Sequence, residues 1–275
     1  MGDTTKLNCY VIAAPESDQI NPFMQLLCTD ERLEVVLLDA TMVYEDSEEY
    51  LKFRKFSQID FRNRYGRFLL PGELGCSLSH NRARELVSHI PQGGIILEED
   101  AEIMDLNLFV TTSMEFLETY KSRAGVLSFY NNEYRFKRNT QAKFLGKWIR
   151  HFGGPSSTVA YAITQESATN LVMANMPVRF LADWPIARTS FYVALMDVIR
   201  HSDDPEISSI GNREDRRSGF TLKDKIDILT TRFYFINRDT AGGFIDFFKI
   251  LWLPRFKYQL NRILFFALFR SGTIK

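Results

Sequence analysis

The 275 residues are long enough to bury a substantial core, and the length fits one large domain with a small appendage. Hydrophobic residues make up 45% and charged residues 25%, and 34 basic side chains balance 34 acidic ones, so the global charge excess of a polyanion-binding protein is absent. The three cysteines, Cys9, Cys28 and Cys76, are odd in number, widely spaced and without a C-x-x-C, which excludes a disulfide framework and a zinc knuckle and fits a reducing cytosol.

The first residues carry no charged segment followed by an apolar one, and Lys6 stands where a myristoylation signal needs Ser or Thr. A cytoplasmic location is expected. Leu7 to Ala14 reads as a buried strand ending at Pro15, Ser17 and Asp18, a loop at which a nucleotide could sit. Asn21 as N-cap and Pro22 as first helical residue open a short helix through Leu27, and Glu34 to Ala40 gives a second strand. This is the start of an α/β domain. Residues 45 to 67 mix charge and aromatics without a clean period and read as a helix and a connection. In residues 71 to 90, Leu74, Leu78, Ala83, Leu86 and Val87 recur at helical spacing, with small residues between them that allow close approach to another backbone. His80 on this helix either points into a site or packs as an ordinary helical histidine. Glu73 is either a ligand contact or a first-turn acid complementing the helix dipole.

The chain then runs through Gly93-Gly94 into I-I-L-E-E-D-A, residues 95 to 101. An apolar run ending in acids reads as a buried parallel strand whose carboxyl end opens into a crevice, where open α/β sheets bind ligands. On an extended chain Glu98 and Asp100 project to one side, toward a hard divalent cation, and Glu99 to the other. A solvated strand end is the alternative. Leu106 to Tyr120 is an amphipathic helix and Val126 to Tyr130 a strand, followed by Asn131, Asn132 and Glu133. Arg135 to Arg150 is basic and aromatic, either a flap over a negatively charged ligand or a solvated loop. Thr158 to Thr164 is a strand, and Gln165 to Met176 a helix capped by Thr164 and stopped by Pro177.

Asp183 sits among apolar and aromatic neighbours, which would raise its pKa and suit a general base; it could equally cap a helix before Trp184 and Pro185. After a strand-like run from Phe191 to Ile199, His201 could complete a metal site begun by the carboxylates. From Phe244 to Arg270, Lys249, Arg255, Lys257, Arg262 and Arg270 alternate with aromatic and aliphatic residues against one acid, Asp246. No apolar run there reaches the roughly 20 residues of a spanning helix. The pattern suits helices lying in a membrane interface, with a core-packing helix pair as the alternative.

Together, G-E-L-G-C-S-L-S-H (72 to 80), I-L-E-E-D-A (96 to 101) and T-V-A-Y-A-I-T (158 to 164) resemble glycosyltransferase family 25, over roughly residues 6 to 215. The resemblance implies a GT-A-type nucleotide-diphospho-sugar transferase fold, an α/β domain with a single Rossmann-like mixed sheet over residues 1 to 240. Residues 241 to 275 would follow it as a basic, aromatic, membrane-associating helical segment. It implies a divalent cation, manganese or magnesium, held by Asp100 and Glu98, a site that His201 on the reading above could complete. Asp183 would be the base, and Glu73, His80, Glu98 and Asn131 would lie near donor or acceptor.

P-E-I-S-S-I-G-N-R (205 to 213) resembles the family's closing segment. The family's arginines after the first strand are replaced by Ser17, Asp18 and Gln19, and Asp183 lies several residues beyond Pro177 instead of close behind a proline. The implied activity is inverting transfer of a hexose, galactose from UDP-galactose by family default, onto a lipooligosaccharide or other glycan. The enzyme would sit at the inner face of the cytoplasmic membrane, bound to anionic lipid, with no nucleic-acid partner. An inactive, membrane-associated glycan-binding or scaffold protein of the same fold is the rival of another class.

Overall fold

The computed structural model describes residues 6–17, 20–56, 61, 69–130, 147–151, 157–183 and 187–201. These fall into two compact units: residues within Met1–Met42 and Gly75–Ser208 form one, and residues within Val43–Leu74 belong to the other.

In chain order the elements are β1 (Leu7–Ala13), α1 (Ile20–Cys28), β2 (Leu33–Asp39), α2 (Glu48–Phe56), α3 (Pro71–Ser88), β3 (Gly94–Glu98) and β4 (Ala101–Ile103). They continue with α4 (Leu106–Tyr120), β5 (Gly125–Ser128), β6 (Trp148–His151), β7 (Ala160–Ile163), α5 (Gln165–Asn175), β8 (Ser190–Ala194) and β9 (Ile199–His201). Seven strands form one sheet in the order β2-β1-β3-β7-β5-β8-β6. β1 is parallel to both β2 and β3, β7 runs against β3 and β5, β5 and β8 are parallel, and β6 runs against β8. The architecture is α/β with a mixed, Rossmann-like central sheet.

Alternation along the strands sorts the core into two faces. Cys9, Val11, Ile95, Leu97, Ala160 and Ala162 pack with Leu27 of α1 and Phe109 and Phe116 of α4. Tyr10, Ile12, Ile96, Tyr161 and Ile163 pack on the other side with Ala83 and Val87 of α3 and Ala168 and Leu171 of α5. Each fully buried Ile, Leu or Phe contributes about 1.5–3 kcal/mol, so the two faces carry most of the stability. Gly93 allows close approach to the end of β7, and Gly94 sets how closely α3 and the sheet meet. Gly93 has φ +78°, and a Cβ there would lie 2.5 Å from the Ile163 carbonyl oxygen; one on Gly94 would meet Val87 at 3.1 Å.

Most predicted elements form within a residue or two, and Thr164 caps α5 as expected. Three readings change. Helix α1 begins at Ile20, so Asn21 is not its cap, and Pro22 falls in the first turn, where its missing N–H is not needed. The acidic stretch is not extended: β3 ends at Glu98 and the chain turns through Glu99 and Asp100 into β4. That turn is tied to the end of β1, because the Glu99 N–H donates to the Ile12 carbonyl and the Glu99 carboxylate accepts from the Ala14 N–H, both at 3.0 Å. The last residues of the basic, aromatic stretch form β6, paired with β8, instead of loop.

Asn131, Asn132 and Glu133, with most of the 135–150 stretch, lie outside the described residues, as do residues 202 to 275 with the 205–213 segment, the 240/241 boundary and the C-terminal helices. Within the second unit, the Tyr50 hydroxyl donates to the Leu69 carbonyl at 2.9 Å, and Phe53 meets Phe61 edge-on. Among the described residues no helix is long and apolar enough to cross a membrane.

Candidate active site

Cys76, His80 and Arg84 are four residues apart on α3 and therefore share one face of the helix. That face lies over the carboxyl end of β3 and the chain leading into β7. Arg84 is fully buried; its Nη2 donates to the Ala182 carbonyl at 2.9 Å and its Nε to the Tyr161 hydroxyl at 3.2 Å. The Tyr161 oxygen is 3.0 Å from His80 Nδ1, and His80 Nε2 is 3.1 Å from Glu98 Oε1. The same Glu98 oxygen accepts from the Thr158 hydroxyl at 2.7 Å.

The direction of this chain follows from its first member. A guanidinium can only donate, so the Tyr161 oxygen accepts from Arg84 and its proton is directed to His80 Nδ1. His80 then carries its own proton on Nε2 and donates it to Glu98. Burial lowers the pKa of His80, against the pull of Glu98, and keeps the ring neutral; burial also pushes the Tyr161 hydroxyl up to about 12. Burial works to raise the Glu98 carboxyl, but the hydrogen bonds from His80 and Thr158 and the proximity of His201 outweigh it and leave it below the ordinary carboxylate value.

Beside this network stand Asp183 and Asp100. Asp183 Oδ1 lies 3.5 Å from the Thr158 hydroxyl, and the residue is exposed, so its apolar flanks do not bury it as the sequence reading expects. β4 and β9 pair antiparallel with Ala101 opposite His201, which brings His201 Nε2 to 3.0 Å from Asp100 Oδ2. The His201 ring also lies against Tyr130, with centroids 5.7 Å apart. Among the described residues, Asp100 Oδ1 is buried without a hydrogen-bond partner, as is Glu99 Oε2. Burying a carboxylate oxygen without a donor is costly, and a cation compensates it. Carboxylates with an imidazole at the edge of a sheet are a donor set that fits a divalent cation.

The fold thus gathers Glu98, His80, Asp100, His201 and Asp183 at one end of the sheet. Glu73 is buried in the first turn of α3, in the other unit, where its carboxylate accepts from the Leu70 N–H at 3.1 Å. Asn131 is outside the described residues. Sequence reasoning missed Arg84, Thr158 and Tyr161 as parts of the site. Arg84 was marked by its four-residue spacing from His80; Thr158 and Tyr161 lie in an apolar strand where neither looks chemical.

No curated protein matches the chain. The sequence model of glycosyltransferase family 25 (LPS biosynthesis protein) matches residues 7–190, about two thirds of the chain and every residue of this site except His201. The chain belongs to glycosyltransferase family 25, the LPS biosynthesis family, and is a glycosyltransferase.

Proposed function

We propose that the protein is a metal-dependent, inverting GT-A hexosyltransferase that moves galactose from UDP-galactose onto a lipooligosaccharide or related glycan. The observation that carries this reading is the buried Asp100 oxygen, without a hydrogen-bond partner among the described residues, beside Glu98 and His201 at the carboxyl end of β3. A bound divalent cation, manganese or magnesium, supplies electrostatic stabilisation of the diphosphate as the nucleotide departs.

Within this reading Glu98 and Asp100 hold the cation and His201 orients Asp100 or joins it as a ligand. His80 and Thr158 keep Glu98 ionised and fixed in direction. Asp183, exposed at the mouth of the site, takes the proton from the acceptor hydroxyl as that oxygen attacks the anomeric carbon. Attack from the face opposite the departing UDP inverts the centre and gives a β-linkage. Asn131 is assigned to donor or acceptor contacts on family resemblance. The 244–270 segment, with five cations against one acid, is assigned to the anionic inner face of the cytoplasmic membrane, where a lipid-linked acceptor resides.

UDP release from UDP-galactose in the presence of a lipooligosaccharide acceptor tests the reaction. Turnover that requires manganese or magnesium, stops with chelator and yields a β-linked product by NMR supports it. Metal-independent turnover, or an α-linked product, rejects it. Deleting residues 244 to 275 is expected to abolish cosedimentation with anionic vesicles; unchanged binding rejects the anchor.

A further inference from the structure

One side chain of the site, Cys76, has no part in that reaction. Cys76 Sγ, a ring nitrogen of His80 and a carboxylate oxygen of Glu98 all lie within 4.8 Å of one another. Two of the three come from one helix at a four-residue spacing, the arrangement by which a helix presents paired ligands to a metal; the third closes on them from the strand end. Tetrahedral zinc, with bonds of about 2.3 Å to sulfur and 2.0 Å to nitrogen or oxygen, places these ligand atoms roughly 3.3–3.5 Å apart. His80 Nε2 and Glu98 Oε1, at 3.1 Å, need to part by only a few tenths of an ångström, and the thiol to close in from within 4.8 Å.

We propose that Cys76, His80 and Glu98 form a second metal site, selective for a thiophilic transition ion such as zinc, that shares Glu98 with the hard-cation site. Three donors leave a fourth position open, as in zinc centres that bind water or an exchangeable ligand. Sulfur and nitrogen donors favour zinc or cobalt over magnesium and manganese, which prefer oxygen. Burial first, and then the fields of Glu98, Asp183 and Asp100, raise the Cys76 thiol well above its ordinary value, so a metal must displace the thiol proton to bind there. The geometry carries the site, and the neighbouring carboxylates attract a dication. Metal on His80 Nε2 moves the ring proton to Nδ1, and the Tyr161 hydroxyl, which donates to Nδ1 in the metal-free network, has to turn its own proton away and accept instead.

The consequence is competition. With Glu98 drawn into a sulfur-containing site, the oxygen-ligand site loses a carboxylate, so zinc inhibits manganese-dependent turnover. This consequence rests on the proposed reaction; metal binding at Cys76 does not, and the two fail separately.

The test titrates the full-length protein with cobalt(II) and records the near-ultraviolet thiolate-to-cobalt charge-transfer band. The wild-type protein is expected to show the band with one cobalt bound, Cys28→Ser to keep it, and Cys76→Ser and Cys76→Ala to lose it while keeping the wild-type circular dichroism spectrum. Zinc is expected to displace the cobalt, and Cys76→Ser to raise the zinc concentration for half-inhibition at least about 100-fold, since even loss of an outer-shell partner costs 10–100-fold. A wild-type protein without the band, or a band that survives Cys76→Ser, overturns the site. A band with no zinc inhibition keeps the site and overturns the competition.

Discussion

Glu98 and Asp100 are two residues apart in sequence, yet the protein treats them differently. Glu98 Oε1 is held by two donors, His80 and Thr158, at the end of a network that runs back to a fully buried arginine. Among the described residues Asp100 has one imidazole partner, and its other oxygen is buried without one. The first arrangement fixes a carboxylate in place, and the second leaves the oxygen that the proposed metal site would use. Substitutions should therefore separate a stability-bearing side from an activity-bearing side. The largest expected effect is on the second: Asp100→Ala should lower metal-dependent turnover by at least about 100-fold, roughly 2.7 kcal/mol of transition-state stabilisation, while urea unfolding shifts by no more than about 0.5 kcal/mol. Turnover within a few-fold of wild type would remove Asp100 from the metal site.

The network side should show the reverse. Tyr161→Phe leaves the ring in the core but removes the acceptor of Arg84 and the donor to His80, both buried. A loss of about 2 kcal/mol in unfolding free energy is expected, with a smaller loss of turnover than in Asp100→Ala. A Tyr161→Phe protein as stable as wild type would show that the network does not bear stability.

Acid should find the same side. The pKa of folded His80 lies below its ordinary 6.5, so the unfolded chain binds the proton first as the pH falls. The stability contributed by neutral His80 is fully present above 6.5 and is lost as the pH drops from there toward the folded value. Glu98, below its ordinary 4.5 when folded, adds a second loss that begins only under 4.5. One such group can contribute a slope of up to about 1.4 kcal/mol per pH unit. In unfolding measurements between pH 7.5 and 5, His80→Gln, which keeps one acceptor and one donor without titrating, is expected to flatten that slope. An unchanged slope would assign the acid sensitivity to other groups.

How much of this could be read from the chain depended on the kind of signal. The strands and helices were legible because β1, β3 and β7 are buried on both faces and read as apolar runs, and because α4 and α5 announce their starts with Asp105 and Thr164. The acids of the strand end were legible as chemistry, but their geometry was not. An extended chain was assumed where hydrogen bonds to Ile12 and Ala14 impose a turn, and those bonds join segments more than 80 residues apart. Glu99, which on an extended chain would only face away from the cation, makes those ties. Arg84, Tyr161 and Thr158 were illegible for the same reason: their function lies in distant partners, 77 residues apart for Arg84 and Tyr161 and 60 for Thr158 and Glu98.

Thr158 offers the finest test of the fixed side, because its hydroxyl touches Glu98 and borders Asp183, the proposed base. It donates to Glu98 Oε1 at 2.7 Å and lies 3.5 Å from Asp183 Oδ1. Thr158→Val keeps the shape and deletes only the hydroxyl. Since Glu98 retains its bond from His80, the expected cost is the net value of one hydrogen bond, about 1 kcal/mol in unfolding. Thr158→Ser restores the hydroxyl and should recover most of that loss. If Thr158 serves only Glu98, its valine variant will weaken metal affinity and leave the turnover at saturating metal unchanged. If it also orients Asp183, turnover at saturating metal will fall as well, and the two carboxylates will prove to be coupled through one hydroxyl.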